Sequence, residues 1–246
     1  GLLTDLLTRG IDQNGQLRPA PDHAPHLYKN SPLGWIPKGW DARKLCELTA
    51  KVIDGSHQTP TYTRSGVPFL RVTDIQSESI DRAEVKFISQ REHRQFMARC
   101  DPREGDILLS KNGTVGIARI VDWDWEFSIF VSLALIRVRQ PQQIIPEFLE
   151  TVLNSDIVRK QIERRSKQGT VTNLHLEEIR DFDIPMPSAE EQEAIAQYAS
   201  IYLSRIKAER RELKKLLIEK SGLMDDLLTG RVRVTPLLEA KEQATA

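Results

Sequence analysis

Between Ser188 and Thr229 the chain has no proline, and its only glycine in that stretch is Gly222, close to the end. Proline breaks a helix interior because it lacks an N–H and its ring collides with the preceding turn, so this run can stay helical throughout. Ser188 comes directly after Pro187 and is itself followed by Glu191, the S-x-x-E capping box of a helix start. Two heptad rows then run Ile195, Tyr202, Glu209, Leu216, Leu223 and Ala199, Ile206, Leu213, Lys220, Leu227. Eight of these ten positions are apolar, and charges crowd the other faces. At 1.5 Å per residue the helix would run about 60 Å, too long to be covered by one domain. Ile195, Tyr202, Ile206, Leu213, Leu216, Leu223 and Leu227 are therefore expected to form an interface stripe. Its partner is a second long helix, parallel or antiparallel, or the chain's own domain.

The end of that run echoes the start of the chain. Gly1-Leu2-Leu3-Thr4-Asp5-Leu6-Leu7-Thr8 and Gly222-Leu223-Met224-Asp225-Asp226-Leu227-Leu228-Thr229 agree at six of eight positions. Either two leucine-rich helix ends coincide by chance, or a large repeat has its first copy cut away just before Gly1. Residues 10–42 hold Pro19, Pro21, Pro25, Pro32 and Pro37, which rules out a long helix. They read as an extended connector packing Trp35, Ile36 and Trp40 onto the domain after it. From residue 43 to 187 the pattern is mixed. The runs Val67–Val72, Asp106–Ser110 and Ser132–Val138 are apolar and bounded by turn residues, as strands are. Glu147–Arg165 has one apolar face at helical spacing. The expected class is α+β. Residues 1–42 are a preceding helix end plus connector, 43–187 the globular domain, 188–230 the long coiled-coil helix and 231–246 a flexible tail.

Thirty-five basic residues balance thirty-five acidic ones, so overall charge does not advertise a polyanionic partner. A neutral total can still conceal a basic face. Cys46 and Cys100 match no metal or redox spacing, and no apolar run approaches the roughly 18 residues that span a membrane. The leucines of the first eight residues are interrupted by Asp5 and are too few for a signal peptide. A reduced, cytoplasmic chain without a membrane partner is expected.

Several short motifs occur in a fixed order. Ser31–Trp40 reads SPLGWIPKGW, Asp54–Pro60 reads DGSHQTP and Gly66–Ile75 reads GVPFLRVTDI. Gly105–Gly116 reads GDILLSKNGTVG, Gly169–Leu174 reads GTVTNL, and Ile184–Gln192 leads into the long helix as IPMPSAEEQ. In these motifs, over nearly its whole length, the chain resembles the specificity subunits of type I restriction-modification enzymes. That resemblance implies a target-recognition domain that reads one half of a split double-stranded DNA site. It also implies methyltransferase subunits docked on long helices and a restriction subunit joined through them. S-adenosylmethionine, ATP and magnesium would belong to those partner subunits, with no cofactor in this chain. Family subunits hold two such domains and this chain one, so it reads as a C-terminal half or a natural half-length subunit. The latter could pair with a second copy through the long helix.

Base edges are read by donors and acceptors on a firmly placed surface, which phosphate contacts position. Ser56, His57, Gln58 and Thr59 sit on a loop stopped by Pro60. Gln58 is a side chain that can pair with adenine, and His57 is either a DNA donor or an ordinary surface histidine. Lys111, Asn112 and Thr114 lie on a turn that Gly113 lets approach a phosphate closely. Arg164, Arg165 and Lys167 precede Thr170, Thr172 and Asn173, and form either a phosphate track or a solvated helix face. Arg71, near Thr73, contacts DNA or makes a structural salt bridge. The chain lacks the Asn/Asp-Pro-Pro-aromatic segment and glycine-rich turn of an adenine methyltransferase. Asp81, Glu84 and Lys86 faintly resemble a metal-dependent nuclease triad. That leaves a nuclease, or a coiled-coil adaptor without a DNA role, as the alternatives to a non-catalytic DNA reader.

Overall fold

Leu133, Ala134, Leu135 and Ile136 are all shut off from solvent. Side chains alternate between the two faces of a strand, so four consecutive buried residues mean that both faces are covered. The computed structural model describes residues 1–77, 79–165 and 173–232. The chain divides into two units, Gly1–Gln197 and Tyr198–Ala246.

The order begins with helix α1 (Leu2–Thr8), strands β1 (Tyr28–Ser31), β2 (Gly34–Pro37) and β3 (Asp41–Lys44), the single turn α2 (Leu45–Leu48) and β4 (Thr49–Asp54). Next come β5 (Tyr62–Thr63), β6 (Val67–Leu70), the single turn α3 (Val72–Ile75), β7 (Lys86–Ile88) and α4 (Gln90–Met97). They lead to strands β8 (Ile107–Ser110), β9 (Ala118–Ile120), β10 (Ser128–Ile129) and β11 (Leu133–Val138). Helices α5 (Pro146–Leu153), α6 (Asp156–Arg165) and α7 (Leu176–Arg180), strand β12 (Asp183–Met186) and the long helix α8 (Ala189–Leu228) complete the chain.

Strands β4, β11, β8 and β9 pair in that order as an antiparallel sheet. A second sheet runs β10, β6, β7, β5, with β10 and β6 parallel. The alternation along β8 and β11 splits the core in two. Ile107, Leu109, Ala134 and Ile136 face a cluster containing Leu45, Phe148, Phe182 and Ile195, whereas Leu108, Leu133 and Leu135 face Leu70, Val121, Phe127 and Ile129. Strand β12 pairs with β3, bringing the segment before α8 beside the segment that enters the domain. The α+β class, with a long helix after a globular unit, is the one expected.

Local expectations need correction. The strand from Val67 stops at Leu70, because Arg71 takes the N-cap position of α3 and its backbone N–H donates to Asp74 at 2.7 Å. The helix expected over 147–165 is two helices. Asn154, between them, turns its amide onto strand β9, accepting from Ala118 N and donating to Ala118 O, each at 2.9 Å. Within the proline-rich connector, β1 and β2 form an antiparallel hairpin. Ile36 and Trp40 are buried as expected, but Trp35 points the other way along β2 and is exposed.

The capping box is half present. Ser188 Oγ accepts from Glu191 N at 3.3 Å, but the Glu191 carboxylate turns away to hold the N-terminal segment. It accepts from Arg18, from Ile11 N at 2.8 Å and from Trp40 Nε1 at 2.9 Å. Ile195, first of the expected stripe, is wholly buried in the first unit's core and is lost to any partner. In the second unit Tyr202, Leu213, Leu216, Leu223 and Leu227 are exposed and Ile206 is half-buried. Among the described residues no helix is long and apolar enough to cross a membrane. The tail from residue 233 lies outside the described residues.

Candidate nucleic-acid interface

The loop after β4 is built on a close crossing. A β-carbon at Gly55 would collide with the backbone carbonyl of Ile129; only glycine lets the two chains pass. Ser56 then joins the crossing strand, donating from N to Ile129 O and accepting from Val131 N at its own carbonyl, both at 2.9 Å. Its hydroxyl accepts from Gln58 N at 3.1 Å and donates to Gln58 O at 2.9 Å. Ser56 is thus buried and cinches the turn, leaving His57, Gln58 and Thr59 on the surface.

Asp54, at the base of this loop, is 4% exposed and gathers three side chains. Arg99, just after α4, donates to its Oδ1 at 2.5 Å, His57 Nε2 lies 3.2 Å from the same oxygen, and Lys111 Nζ lies 3.4 Å from Oδ2. Burial works against the charge on Asp54. The Arg99 hydrogen bond, with His57 and Lys111, outweighs it and holds the carboxyl below its ordinary value. Next to this group Asp101 pairs with Lys51, Arg103 and Arg137, and Arg137 also pairs with Asp106. Three carboxylates therefore meet five permanent cations, Lys51, Arg99, Arg103, Lys111 and Arg137, in a chain whose total charge is zero.

The second loop leaves β8. Ser110 Oγ accepts from Ile117 N at 2.8 Å, closing the turn, and Gly113 adopts φ +76°, in the left-handed region. Thr114 is exposed at the tip, whereas Lys111 turns inward and is 7% exposed. Leu174 N donates to Lys111 O at 2.7 Å, and Asn112 pairs antiparallel with Asn173. Residues 61 positions apart in sequence thus meet. Asn112 Oδ1 and Ser132 Oγ are buried there without a hydrogen-bond partner among the described residues.

The other sequence candidates divide. Arg71 donates to Asp74 from Nε at 3.3 Å and from its terminal nitrogen at 3.2 Å, and Thr73 is exposed beside it. Phe130 N donates to Leu70 O at 2.9 Å, which sets Arg71 next to the strand that Ser56 joins. Arg164 is exposed at the end of α6. Arg165 donates to Gln161 O at 3.0 Å and to Asp181 at 2.9 Å, with its guanidinium over the Phe182 ring. Lys167, Thr170 and Thr172 lie outside the described residues. Asp81 accepts from Ala83 N at 2.8 Å within its own turn. Among the described residues no group of three or more His, Cys, Asp or Glu is placed to hold a metal ion.

Sequence reasoning missed Arg99, which reaches Asp54 across 45 positions and belongs to no motif. It also missed the Trp123, Trp125 and Phe127 cluster, although the alternation Trp-Asp-Trp-Glu-Phe signals an extended segment with one apolar side. Trp123 and Trp125 stack with ring centroids 5.0 Å apart.

A model of the type I restriction modification DNA specificity domain matches residues 37–217. The specificity subunit of the type I restriction enzyme MjaVIII from Methanocaldococcus jannaschii is 22% identical over 242 residues, covering 96% of this chain and 54% of that protein. The EcoBI specificity subunit of Escherichia coli is 25% identical over 202 residues, 80% of this chain and 42% of its own. Among solved structures, the HsdS subunit from Thermoanaerobacter tengcongensis aligns with a TM-score of 0.54 at 21% identity, over 82% of this chain and 47% of that one. A structure described as bearing on complex assembly and conformational transition of the type I R-M system aligns with a TM-score of 0.58 at 21% identity and the same coverage. At these identities the structures speak for the fold. The chain spans about half the length of the relatives it matches.

Proposed function

The chain belongs to the type I restriction modification DNA specificity domain family, and on that premise we propose that its globular unit reads one half of a bipartite double-stranded DNA site. What supports this most is the convergence of the 54–60 loop, the 111–116 loop and Asn173 beside a surplus of cations in an otherwise neutral chain. His57, Gln58 and Asn173 are the base readers in this reading, with Thr59, Thr73 and Thr114 as exposed hydroxyls, while Asn112, whose amide oxygen is buried, holds the turn against Asn173. Arg164 and Lys167 contact phosphates, and Thr170 and Thr172 continue their track. Lys111, turned onto Asp54, contributes its field, while Ser56, Arg71 and Arg165 hold the surface in place. The chain itself performs no chemistry. It brings adenine methyltransferase subunits to the site, and through them the restriction subunit, so S-adenosylmethionine, ATP and magnesium are bound by those partners. The exposed stripe Tyr202, Ile206, Leu213, Leu216, Leu223 and Leu227 receives a methyltransferase subunit or a second copy, because such patches rarely stay bare. A cytoplasmic location fits these partners.

The test compares Gln58→Ala with Lys167→Ala on a duplex enriched from a random pool and on its scrambled version, across salt. Gln58→Ala is expected to lose about 1–3 kcal/mol on the enriched duplex alone. Lys167→Ala is expected to weaken both duplexes and lower the salt slope by about one. Equal losses on both duplexes for both variants would remove Gln58 as a reader.

A further inference from the structure

Helix α4 is tied at both ends to the loop that presents His57 and Gln58. In its first turn Glu92 Oε1 accepts from Thr61 N at 2.9 Å, and just past its last turn Arg99 donates to Asp54 at 2.5 Å. The two ties lie about two helical turns, or roughly 10 Å, apart along the axis. On the buried side of α4 are His93, 3% exposed with Nδ1 2.9 Å from Ser128 Oγ, and Phe96, whose ring centroid lies 5.9 Å from that of Phe69. At about 100° per residue the opposite side carries Arg91, Arg94, Gln95 and the C-cap residue Ala98, all exposed. This side holds no acid, because the only carboxylate of the helix, Glu92, is turned onto the loop and Ser89. Glu126 of the neighbouring segment lies 3.9 Å from His93 Nε2, on the buried side. Arg91 stands in the first turn, where a cation opposes the helix dipole, so its charge does not serve the helix itself.

We propose that α4 lies against the sugar-phosphate backbone of duplex DNA, with Arg91 and Arg94 on phosphates of one strand beside the groove that Gln58 enters. This rests on the globular unit being a DNA reader. Charge complementarity identifies the partner. Two guanidiniums, an amide donor and the small Ala98 let a polyanion approach closely, with no carboxylate on that side to repel it. The two arginines start about 4.5 Å apart along the helix axis. Phosphates of one strand follow each other about every 3.4 Å of duplex axis, so the two long side chains reach neighbouring phosphates. Phosphate contacts orient a reading surface without carrying sequence information. Because loop and helix are joined at Thr61 and Asp54, a backbone contact on α4 sets where His57 and Gln58 meet the bases.

Binding of the full chain, alone and in complex with an adenine methyltransferase subunit, is measured across salt on a duplex enriched from a random pool and on its scrambled version. The wild type is compared with Arg91→Gln/Arg94→Gln and with Lys29→Gln/Lys38→Gln, which removes the same charge from the β1–β2 hairpin region. Glutamine keeps the helix propensity of arginine, and thermal unfolding confirms that each variant is folded. Each lost phosphate contact lowers the salt slope by about 0.9 and weakens binding about tenfold at 0.1 M salt. Arg91→Gln/Arg94→Gln is therefore expected to bind both duplexes about 100-fold more weakly at 0.1 M salt, with the slope lower by about two and the enriched motif unchanged. The hairpin pair is expected to change the slope by less than about half a unit. Ethylation of single phosphates locates the contact: those that block wild-type binding beside the base pair read by Gln58 should cease to matter in the arginine pair. An unchanged slope in Arg91→Gln/Arg94→Gln overturns the proposal, and so does an equal fall in both pairs, which marks net charge rather than a contact. Lost preference at one motif position with the slope kept marks base reading and overturns it too. Lost capture of the methyltransferase subunit with unchanged DNA affinity assigns the face to that subunit instead. A wild type that binds no duplex in either form overturns the underlying DNA-reading function as well.

Discussion

Replacing Glu191 by alanine tests how the N-terminal segment is held. The carboxylate is 12% exposed and accepts from four donors: two nitrogens of Arg18, the backbone N of Ile11, and Nε1 of Trp40, which is itself 1% exposed. A hydrogen bond to a charged group contributes about 1.5–3 kcal/mol, and a buried donor left without a partner costs about 1–3 kcal/mol. Arg18 can turn toward water. Trp40 Nε1 and Ile11 N are fixed and stay dry, so the loss is expected at about 3–5 kcal/mol, as for other broken buried pairs. Glu191→Gln keeps one acceptor oxygen and should lose roughly half of that. Guanidinium unfolding followed by tryptophan fluorescence measures both, since Trp40 sits in the contact. A loss below about 1 kcal/mol in Glu191→Ala, within the range of surface substitutions and their neighbours, would refute the role given to this carboxylate.

Leu213→Asp with Leu216→Asp is expected to abolish association through α8 while leaving the unfolding of the globular unit unchanged. Light scattering checks this, and a monomeric parent at about 100 µM that also binds no methyltransferase subunit would count against the stripe. Acid should destabilise the fold in a defined window. Burial opposes the charge on Asp101, but Lys51 and Arg137 outweigh it and hold its pKa at about 2, below the ordinary 3.8. A depressed carboxyl stabilises the folded state fully above its unfolded pKa and loses that contribution as pH falls through the folded one. About 1–2 kcal/mol should therefore disappear between roughly pH 4 and pH 2. Asp101→Asn, followed by urea unfolding across pH, should flatten that decline, and an unchanged profile would contradict it.

The elements that were legible in the sequence carry a local signal. Helix α8 announces itself through absent prolines and heptad spacing, and the buried strands through the runs Ile107–Leu109 and Leu133–Ile136. Where a side chain is used by a distant partner, local rules mislead. Glu191 stands where a capping box needs it, but Arg18 and Trp40 compete for its carboxylate and win. Arg71 ends a strand pattern early because Asp74 rewards a helix cap. Asn154 interrupts an apolar helical periodicity to satisfy the edge of β9. The candidate site was half legible for the same reason. Turn chemistry marks the 54–60 and 111–116 loops, but nothing in the order of residues brings Arg99 to Asp54 or Asn173 to Asn112.

The central claim is that this chain selects a DNA sequence for partner subunits that modify it. Sequencing modified adenines in cells that express the chain together with an adenine methyltransferase subunit tests this most directly. The predicted result is methylation confined to one short motif, lost when the chain is omitted and relaxed at single positions by Gln58→Ala. Methylation that is absent with the chain present, or that keeps the same motif without it, would contradict the account.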